Sequence, residues 1–98
     1  MNDKRIYVFA KWQVKDGQAD KVIFLLKRVA QKSWEEEGNL CYKINRCSTD
    51  DNTIILFEGY SNEASQKRHQ ESPYFRQLVL GRILPLLEKR EVIMTTPI

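Results

Sequence analysis

Alternation of apolar and polar side chains predicts the first β-strand, which runs from Ile6 to a turn at Asp16-Gly17. One face of this strand is formed by Ile6, Val8, Ala10, Trp12 and Val14. Two further strands are predicted at 40–47 and 53–60, and the polar loop "STDDN" between them is typical of an antiparallel hairpin. A closing strand is predicted at 88–96, after Pro85.

A helical spacing of apolar residues replaces the alternation in two segments between these strands. From Ala19 to Glu37 the residues Val22, Leu25, Leu26, Val29 and Ala30 recur every three or four positions, which predicts an amphipathic helix ended by Gly38. After the third strand, Ser61 is predicted to cap a short helix. Ser72-Pro73 then begins a second helical piece, so this helix is expected to be broken in two.

The resulting order is βαββαβ, which predicts an α+β, ferredoxin-like fold with an antiparallel sheet and both helices on one face. We expect residues 1–98 to form one domain.

The third strand is apolar on both faces, with Ile54 and Leu56 on one side and Ile55 and Phe57 on the other. A lone two-layer domain of this size covers only one face, so we expect a homodimer that packs sheet against sheet.

Composition excludes few functions. Hydrophobic residues make up 42% and charged residues 30% of the 98, as in an ordinary soluble globular protein. The net charge of +3 arises from mixed charges without a basic block, which argues against nucleic acid as a partner. The chain has no apolar run of membrane-spanning length, and its polar start "MNDKR" is unlike a signal peptide, so we expect a cytoplasmic protein without a membrane partner. Cys41 and Cys47 are expected about 20 Å apart on one strand, too far to pair, and reduced.

Three segments carry a resemblance to a known family: "GNLCYKI", "ILFEGYSNEAS", and His69 followed by "SPYF". They resemble the antibiotic biosynthesis monooxygenase (ABM) domain, and the resemblance covers nearly the whole chain. Members are typically homodimers whose two ferredoxin-like sheets form a dimeric α+β barrel, with a pocket between each sheet and its helices. The resemblance implies a monooxygenase without metal or other cofactor, which oxidises a quinol, phenolic or enolic small molecule with dioxygen.

The candidate catalytic residues are His69 and Glu58. His69 matches the family's histidine by its position after the "E-x-Y" strand, and an imidazole can take a proton from a phenol or enol at neutral pH. A helix histidine beside Lys67 and Arg68 is otherwise an ordinary solvated residue. Glu58 lies in an apolar strand and needs a partner. Two interpretations stay open. In a structural role, Glu58 pairs with Arg46 or with a basic residue of a second subunit; in a functional role, Glu58 pairs with His69 or with the substrate.

Four aromatic residues are candidates for substrate binding, as walls of the pocket: Tyr42, Tyr60, Phe75 and Trp12. Aromatic side chains on a sheet face also serve as plain packing, and the sequence leaves both interpretations open.

Alternative functions are weighed on the residues each one needs. The resemblance also implies a possible isomerase, since one branch of the family isomerises a small phosphorylated sugar-derived signal, and this stays open because Arg76 and Arg82 could meet an anionic group. A non-catalytic small-molecule-binding dimer also stays open, because fold does not fix function. Other members of the resembled family degrade haem, and resemblance to them would require an axial histidine on the later helical piece, which has none, so haem degradation is disfavoured. One histidine without an acidic cluster is too little for a catalytic metal site. The third strand lacks the basic-glycine-aromatic pattern of RNA-binding modules of this topology.

Overall fold

Residues 3–98, which the computed structural model describes, form a four-stranded antiparallel sheet with its helices on one face. The elements in chain order are β1 (Ile6–Val14), α1 (Ala19–Trp34), β2 (Asn39–Arg46), β3 (Thr53–Tyr60), α2 (Glu63–Glu71), a π-helix (Phe75–Ile83), a 3₁₀ turn (Leu84–Leu86) and β4 (Leu87–Thr95). The strand order is β2-β3-β1-β4, and all neighbours are antiparallel. The predicted α+β, ferredoxin-like fold is confirmed.

The core lies between the sheet and the helices. Its residues follow the alternation of apolar side chains in β1 and the spacing of three or four positions in α1. The inward row of β1 is buried, because the alternating residues Val8, Ala10, Trp12 and Val14 are each at most 3% exposed. The apolar face of α1 lies against this row, and Val22, Leu25, Leu26 and Val29 are fully buried. Removing these side chains from water is the main force that holds the helix on the sheet.

The helix ends differ in detail from the prediction. The first helix ends at Trp34 rather than at Glu37, and its last turn is tightened by a hydrogen bond from Glu36 N–H to the Ser33 carbonyl. The N-cap of α2 is Asn62 rather than Ser61, because the Asn62 side-chain oxygen accepts the Ser65 N–H at 2.8 Å.

The predicted break between the two later helical pieces is confirmed at Ser72. This residue has an extended backbone with ψ 147°, and its hydroxyl accepts the Phe75 N–H at 3.3 Å. The second piece is a π-helix, whereas the spacing predicted ordinary helical turns; the Leu84 N–H bonds to the Val79 carbonyl, five residues back. The wider turn directs Val79 and Ile83 into the core and leaves Arg82 exposed.

The face of the sheet away from the helices is apolar at its centre. Phe9 is 43% exposed and Ile93 58%, while Ile55 and Phe57 are half-buried. Phe9 lies opposite Phe57 on one side and Ile93 on the other, and the Phe9 and Phe57 ring centres are 5.0 Å apart. We call Phe9, Ile55, Phe57 and Ile93 the open-face cluster. Ile55 and Phe57 are the β3 residues that the sequence assigned to the second apolar face, whereas Ile54 and Leu56 of the other face are buried in the core.

Candidate active site

His69 lies under α2, pointing toward the sheet, and is 1% exposed. The interpretation of it as a solvated helix residue is therefore wrong. Aromatic rings surround the imidazole: the ring centres of Tyr42, Tyr60 and Phe75 are 5.7, 5.3 and 5.3 Å from its own. The helix approaches the sheet closely because Ser65, one turn before His69, packs directly on Gly38, where a side chain would leave no room.

Nδ1 of His69 has two oxygen neighbours, Glu36 Oε1 at 3.1 Å and Tyr74 Oη at 3.0 Å. Buried Ser33 donates its only hydroxyl proton to the Val29 carbonyl at 2.8 Å, so its oxygen is left to accept from Tyr74, 3.2 Å away. The Tyr74 proton is then used, and both neighbours of Nδ1 act as acceptors. These contacts are all favourable only when Nδ1 carries a hydrogen.

In the neutral imidazole, Nε2 of His69 is consequently the nitrogen with a free lone pair. It is buried and has no hydrogen-bond partner among residues 3–98. The carboxyl group of Glu58 is close to Nε2: its Oε1 is 3.8 Å away and accepts the Tyr60 hydroxyl at 2.6 Å. Burial raises the pKa of Glu58, while the Tyr60 hydrogen bond and the nearby His69 oppose this. An imidazolium formed at His69 would thus have a carboxyl group on each side.

A small cavity is lined by His69 and by Glu58, the carboxyl group near Nε2, and has about 20 Å³ of free space, room for about one water molecule. A second buried polar atom, the Trp12 indole nitrogen, also lacks a partner within residues 3–98. Both atoms belong to residues that line this cavity. Its lining is formed by Val8, Ala10, Trp12, Tyr42, Glu58, Gln66, His69, Gln70, Phe75, Arg90 and Val92.

All six residues singled out from the sequence meet in this one region. Trp12, Tyr42, Glu58, His69 and Phe75 line the cavity, and Tyr60 lies behind it, against Glu58 and His69. The Arg46 alternative for Glu58 is wrong, because Arg46 pairs with Asp20 at 3.4 Å on the surface.

Three residues at the site were missed: Glu36, Tyr74 and Arg90. Glu36 was placed inside the first helix, which was predicted to run to Glu37; because α1 instead ends at Trp34, Glu36 can turn toward His69. Tyr74 belongs to the "SPYF" segment, which carried the family resemblance, although Tyr74 itself was not predicted to be a site residue. The guanidinium at the cavity is Arg90 of β4, whereas Arg76 and Arg82 are exposed and do not line it.

A larger groove of about 540 Å³ runs between α1 and the edge strand β2. Trp34 lies at one side, with its indole N–H donating to the Tyr42 carbonyl, and Lys27 and Lys43 are also among its lining residues. The groove lacks the convergent, unpartnered polar atoms found beside His69. We therefore take the smaller cavity as the candidate active site, since buried polar groups without partners indicate function better than volume does.

Other elements of chemistry are sparse in residues 3–98. Within them no three His, Cys, Asp or Glu side chains converge as a set of metal ligands. Cys41 and Cys47 are both free thiols, as expected. None of the helices described is long and apolar enough to cross a membrane.

Comparison with known proteins identifies the family of this fold and site. Residues 5–79 match the family described as "Antibiotic biosynthesis monooxygenase". The chain belongs to this family. The match includes β1 to β3, α1, α2 and the start of the π-helix, and therefore His69, Glu58 and Glu36. The resemblance seen in the sequence is confirmed.

Individual relatives of this ABM chain are distant. "Uncharacterized protein sll1783" of Synechocystis sp. is 30% identical over 77 residues, which are 79% of this chain and 52% of that protein. The chain thus spans about half the length of this relative. "Putative monooxygenase YcnE" of Bacillus subtilis is 28% identical over 67 residues, 68% of this chain and 70% of that one. A crystal structure of a conserved protein from Methanosarcina mazei has a TM-score of 0.89 at 23% identity, covering 95% of this chain and 92% of that one. At that identity the likeness concerns the fold.

Proposed function

We propose that this protein is a cofactor-independent monooxygenase that deprotonates a small phenolic, quinolic or enolic molecule and lets the resulting anion react with dioxygen. One observation carries the proposal: a buried imidazole whose Nδ1 is held by hydrogen bonds presents an unpartnered Nε2 to a cavity. Membership of the ABM family supports the same reaction class. The proposed catalytic base is His69, with Glu58 stabilising the imidazolium that it forms.

The two unpartnered atoms suggest what kind of group the cavity accepts. The indole N–H of Trp12 is only a donor, and His69 Nε2 is an acceptor when Nδ1 carries the hydrogen. A hydroxyl group satisfies both, because it donates to Nε2 and accepts from the indole. After deprotonation the indole N–H remains a donor to the oxyanion, which is the preorganised arrangement that favours charge development.

The reaction with dioxygen is balanced as follows for a substrate with a CH₂ group next to an enolisable carbonyl. His69 takes one proton, and the electron-rich carbon of the anion forms a bond to dioxygen. The peroxide then takes the proton back from His69, and the hydroperoxide loses water to give a carbonyl. One oxygen atom enters the product and the other leaves as water, with dioxygen from solution as the only oxidant.

Access to Nε2 requires the lining to move, because about 20 Å³ does not hold an aromatic ring. Among the lining residues, Gln70 and Val92 are exposed and Arg90 is half-buried, so these three form the rim. We propose that the ring enters between them and packs against Phe75, Tyr42 and Trp12. Arg90 then lies near the substrate anion, with a favourable charge.

The proposal includes a homodimer in the cytoplasm. The open-face cluster exposes Phe9 and Ile93 at the centre of the sheet, where a second copy packed face to face would remove them from water. Two free thiols suit a reducing compartment.

The test is oxygen consumption with a panel of hydroquinones and with anthrone, an enolisable CH₂ compound, in the presence of EDTA. We expect turnover by the wild type and a decrease of about 10²- to 10⁴-fold in His69→Ala, the contribution of a positioned base. Lys67→Ala is the matched control, because Lys67 is exposed on the same helix and does not line the cavity. Full activity in His69→Ala would exclude His69 as the base.

A second candidate function uses the same catalytic base, His69. Arg90 provides a cation at the cavity, which favours an anionic substrate and keeps open an isomerase that enolises a small phosphorylated sugar derivative. This reaction needs no oxidant. Rearrangement of a phosphorylated ketose probe under nitrogen, without oxygen uptake on any phenolic compound, would favour it over the monooxygenase. Tight binding of a phenol without turnover would instead favour a non-catalytic binding dimer.

A further inference from the structure

We propose that Glu36 connects His69 to solvent on the side of the imidazole opposite the cavity, so that the proton taken from the substrate leaves through the ring. The inference rests on the proposed function, since it concerns the same base. It assigns to Glu36 the role of a positioning and proton-relay residue, which acts through His69 and does not touch the substrate.

The imidazole stands between two separate spaces. On one side, Nε2 faces the cavity lined by Trp12 and Glu58. On the other side, Nδ1 is 3.1 Å from Glu36 Oε1. The His69 side chain is 2% exposed but that of Glu36 is 23% exposed, so the carboxylate reaches water where the ring does not.

The outer space is a surface groove of about 250 Å³, lined by Glu36, Glu37, Gly38, Ser65 and Arg68. None of these residues lines the cavity beside Nε2. Arg68 donates to Ser65 Oγ at 3.0 Å, which holds a guanidinium in the groove. A proton that reaches Glu36 can therefore pass to water without crossing the space that the substrate occupies.

The ring is an imidazolium only briefly, beside Glu58, and the completed transfer leaves its charge unchanged. Nε2 gains the substrate proton, Nδ1 gives its own proton to Glu36 Oε1, and Glu36 releases a proton to water in the groove. The imidazole ends neutral with its hydrogen on Nε2. When the peroxide needs a proton, Nε2 supplies it, Glu36 returns one to Nδ1, and the starting tautomer is restored.

A neutral ring matters because a lasting charge is costly at 1% exposure. The titratable and charged groups around His69 come from several elements: Glu36 after α1, Tyr42 of β2, Glu58 and Tyr60 of β3, Tyr74 before the π-helix, and Arg90 of β4, which lines the same cavity. Of the two carboxyl groups, Glu58 is 10% exposed in its side chain, and only Glu36 lines the groove. The relay therefore runs through Glu36.

The first test needs no substrate. Nitrogen NMR of ¹⁵N-histidine protein should find His69, the only histidine, with its hydrogen on Nδ1 at neutral pH. Exchange of this hydrogen with water should be at least about tenfold slower in Glu36→Gln, because the amide accepts the hydrogen bond but cannot carry the proton. Glu37→Gln is the matched control, since Glu37 lines the same groove without bonding to His69. A hydrogen on Nε2, or equal exchange in Glu36→Gln and wild type, would overturn the inference.

The second test uses turnover of anthrone or the best hydroquinone. We expect Glu36→Gln to lower kcat by about 10-fold or more with little change in KM, and Glu36→Asp to restore part of it. Glu36→Ala should be rescued by added formate or acetate, which a purely structural role would not allow. If His69→Ala is inactive while Glu36→Gln keeps full kcat, the relay is wrong and the proposed base stands. If His69→Ala is fully active, the base itself is wrong.

Discussion

His69 Nδ1 lies 3.1 Å from Glu36 Oε1, although the two residues are 33 positions apart in the chain. The short connection between α1 and β2 therefore orients the imidazole carried by α2. Gly38 belongs to this connection, and its carbonyl accepts the Ser61 N–H at 2.9 Å just before α2 begins. The geometry of the site thus depends on how closely these two segments pack.

Gly38→Ala should destabilise the protein and move α2 away from the sheet. An added Cβ would overlap Ser65 Oγ and Cβ. We expect a loss of about 1 to 3 kcal/mol in the free energy of unfolding, the usual cost of overpacking, together with reduced turnover. Urea unfolding measures the first effect and oxygen consumption the second.

A second-site variant checks the cause of that effect. Ser65→Gly removes the two Ser65 atoms that the new Cβ would overlap and leaves Ser61 Oγ, 3.1 Å away, in place, so Gly38→Ala/Ser65→Gly should recover part of the stability lost in Gly38→Ala. Simple addition of the two single losses would contradict steric overlap as the cause.

Glu58→Gln should change how stability depends on pH. Because burial raises the pKa of Glu58, the folded state favours the protonated carboxyl more than the unfolded state does. The stability contributed by Glu58 is complete below the ordinary value of 4.5 and is lost as the pH rises through the higher folded pKa. The amide has no such titration. Urea unfolding at several pH values from about 4.5 to 8 should therefore favour Glu58→Gln increasingly, by at most about 1.4 kcal/mol per pH unit. A constant difference between the proteins would contradict this.

Tyr60→Phe should be destabilising through Glu58. The phenol donates to Glu58 Oε1 at 2.6 Å, and without it a buried carboxyl oxygen loses its partner. We expect a loss of about 1 to 3 kcal/mol, and less in a Glu58→Gln background, so a double-mutant cycle measures the coupling. Tyr7→Phe is the control, because its hydroxyl bonds to exposed Arg5. Equal losses in Tyr60→Phe and Tyr7→Phe would argue against the Tyr60–Glu58 bond.

Ile93→Glu should dissociate the proposed homodimer. Ile93 is 58% exposed within the open-face cluster, and a charge there would be buried between two sheets. Light scattering at micromolar concentration should give roughly twice the chain mass of 11.6 kDa for the wild type, and a single chain mass for the variant. Phe24→Glu is the matched control, since Phe24 is 65% exposed but lies on α1. A dimer that persists in Ile93→Glu would mean that the subunits meet elsewhere.

The fold could be predicted because its signals are local. The alternation in Ile6–Val14 reflects a strand with one buried face, and the spacing in Ala19–Trp34 reflects a helix with one buried stripe. Ser72 marked the break in the second helix, because a hydroxyl followed by proline is a local signal for the start of a new helical piece. The π-helix was missed, since the spacing of Leu78, Val79 and Ile83 also fits ordinary helical turns.

Some features of the candidate site could likewise be predicted from the sequence, and others were decided only by the tertiary structure. The sequence by itself selected His69 and its aromatic neighbours, because one histidine in a polar segment beside "SPYF" was distinctive and resembled a known family. Burial of that histidine, the hydrogen bond from Nδ1 to Glu36 and the free Nε2 were decided only by the tertiary structure. The physical reason is that hydrogen-bond partners are fixed to within a few tenths of an ångström by packing between elements. No local pattern specifies whether Glu36 ends a helix in solvent or turns inward to hold an imidazole.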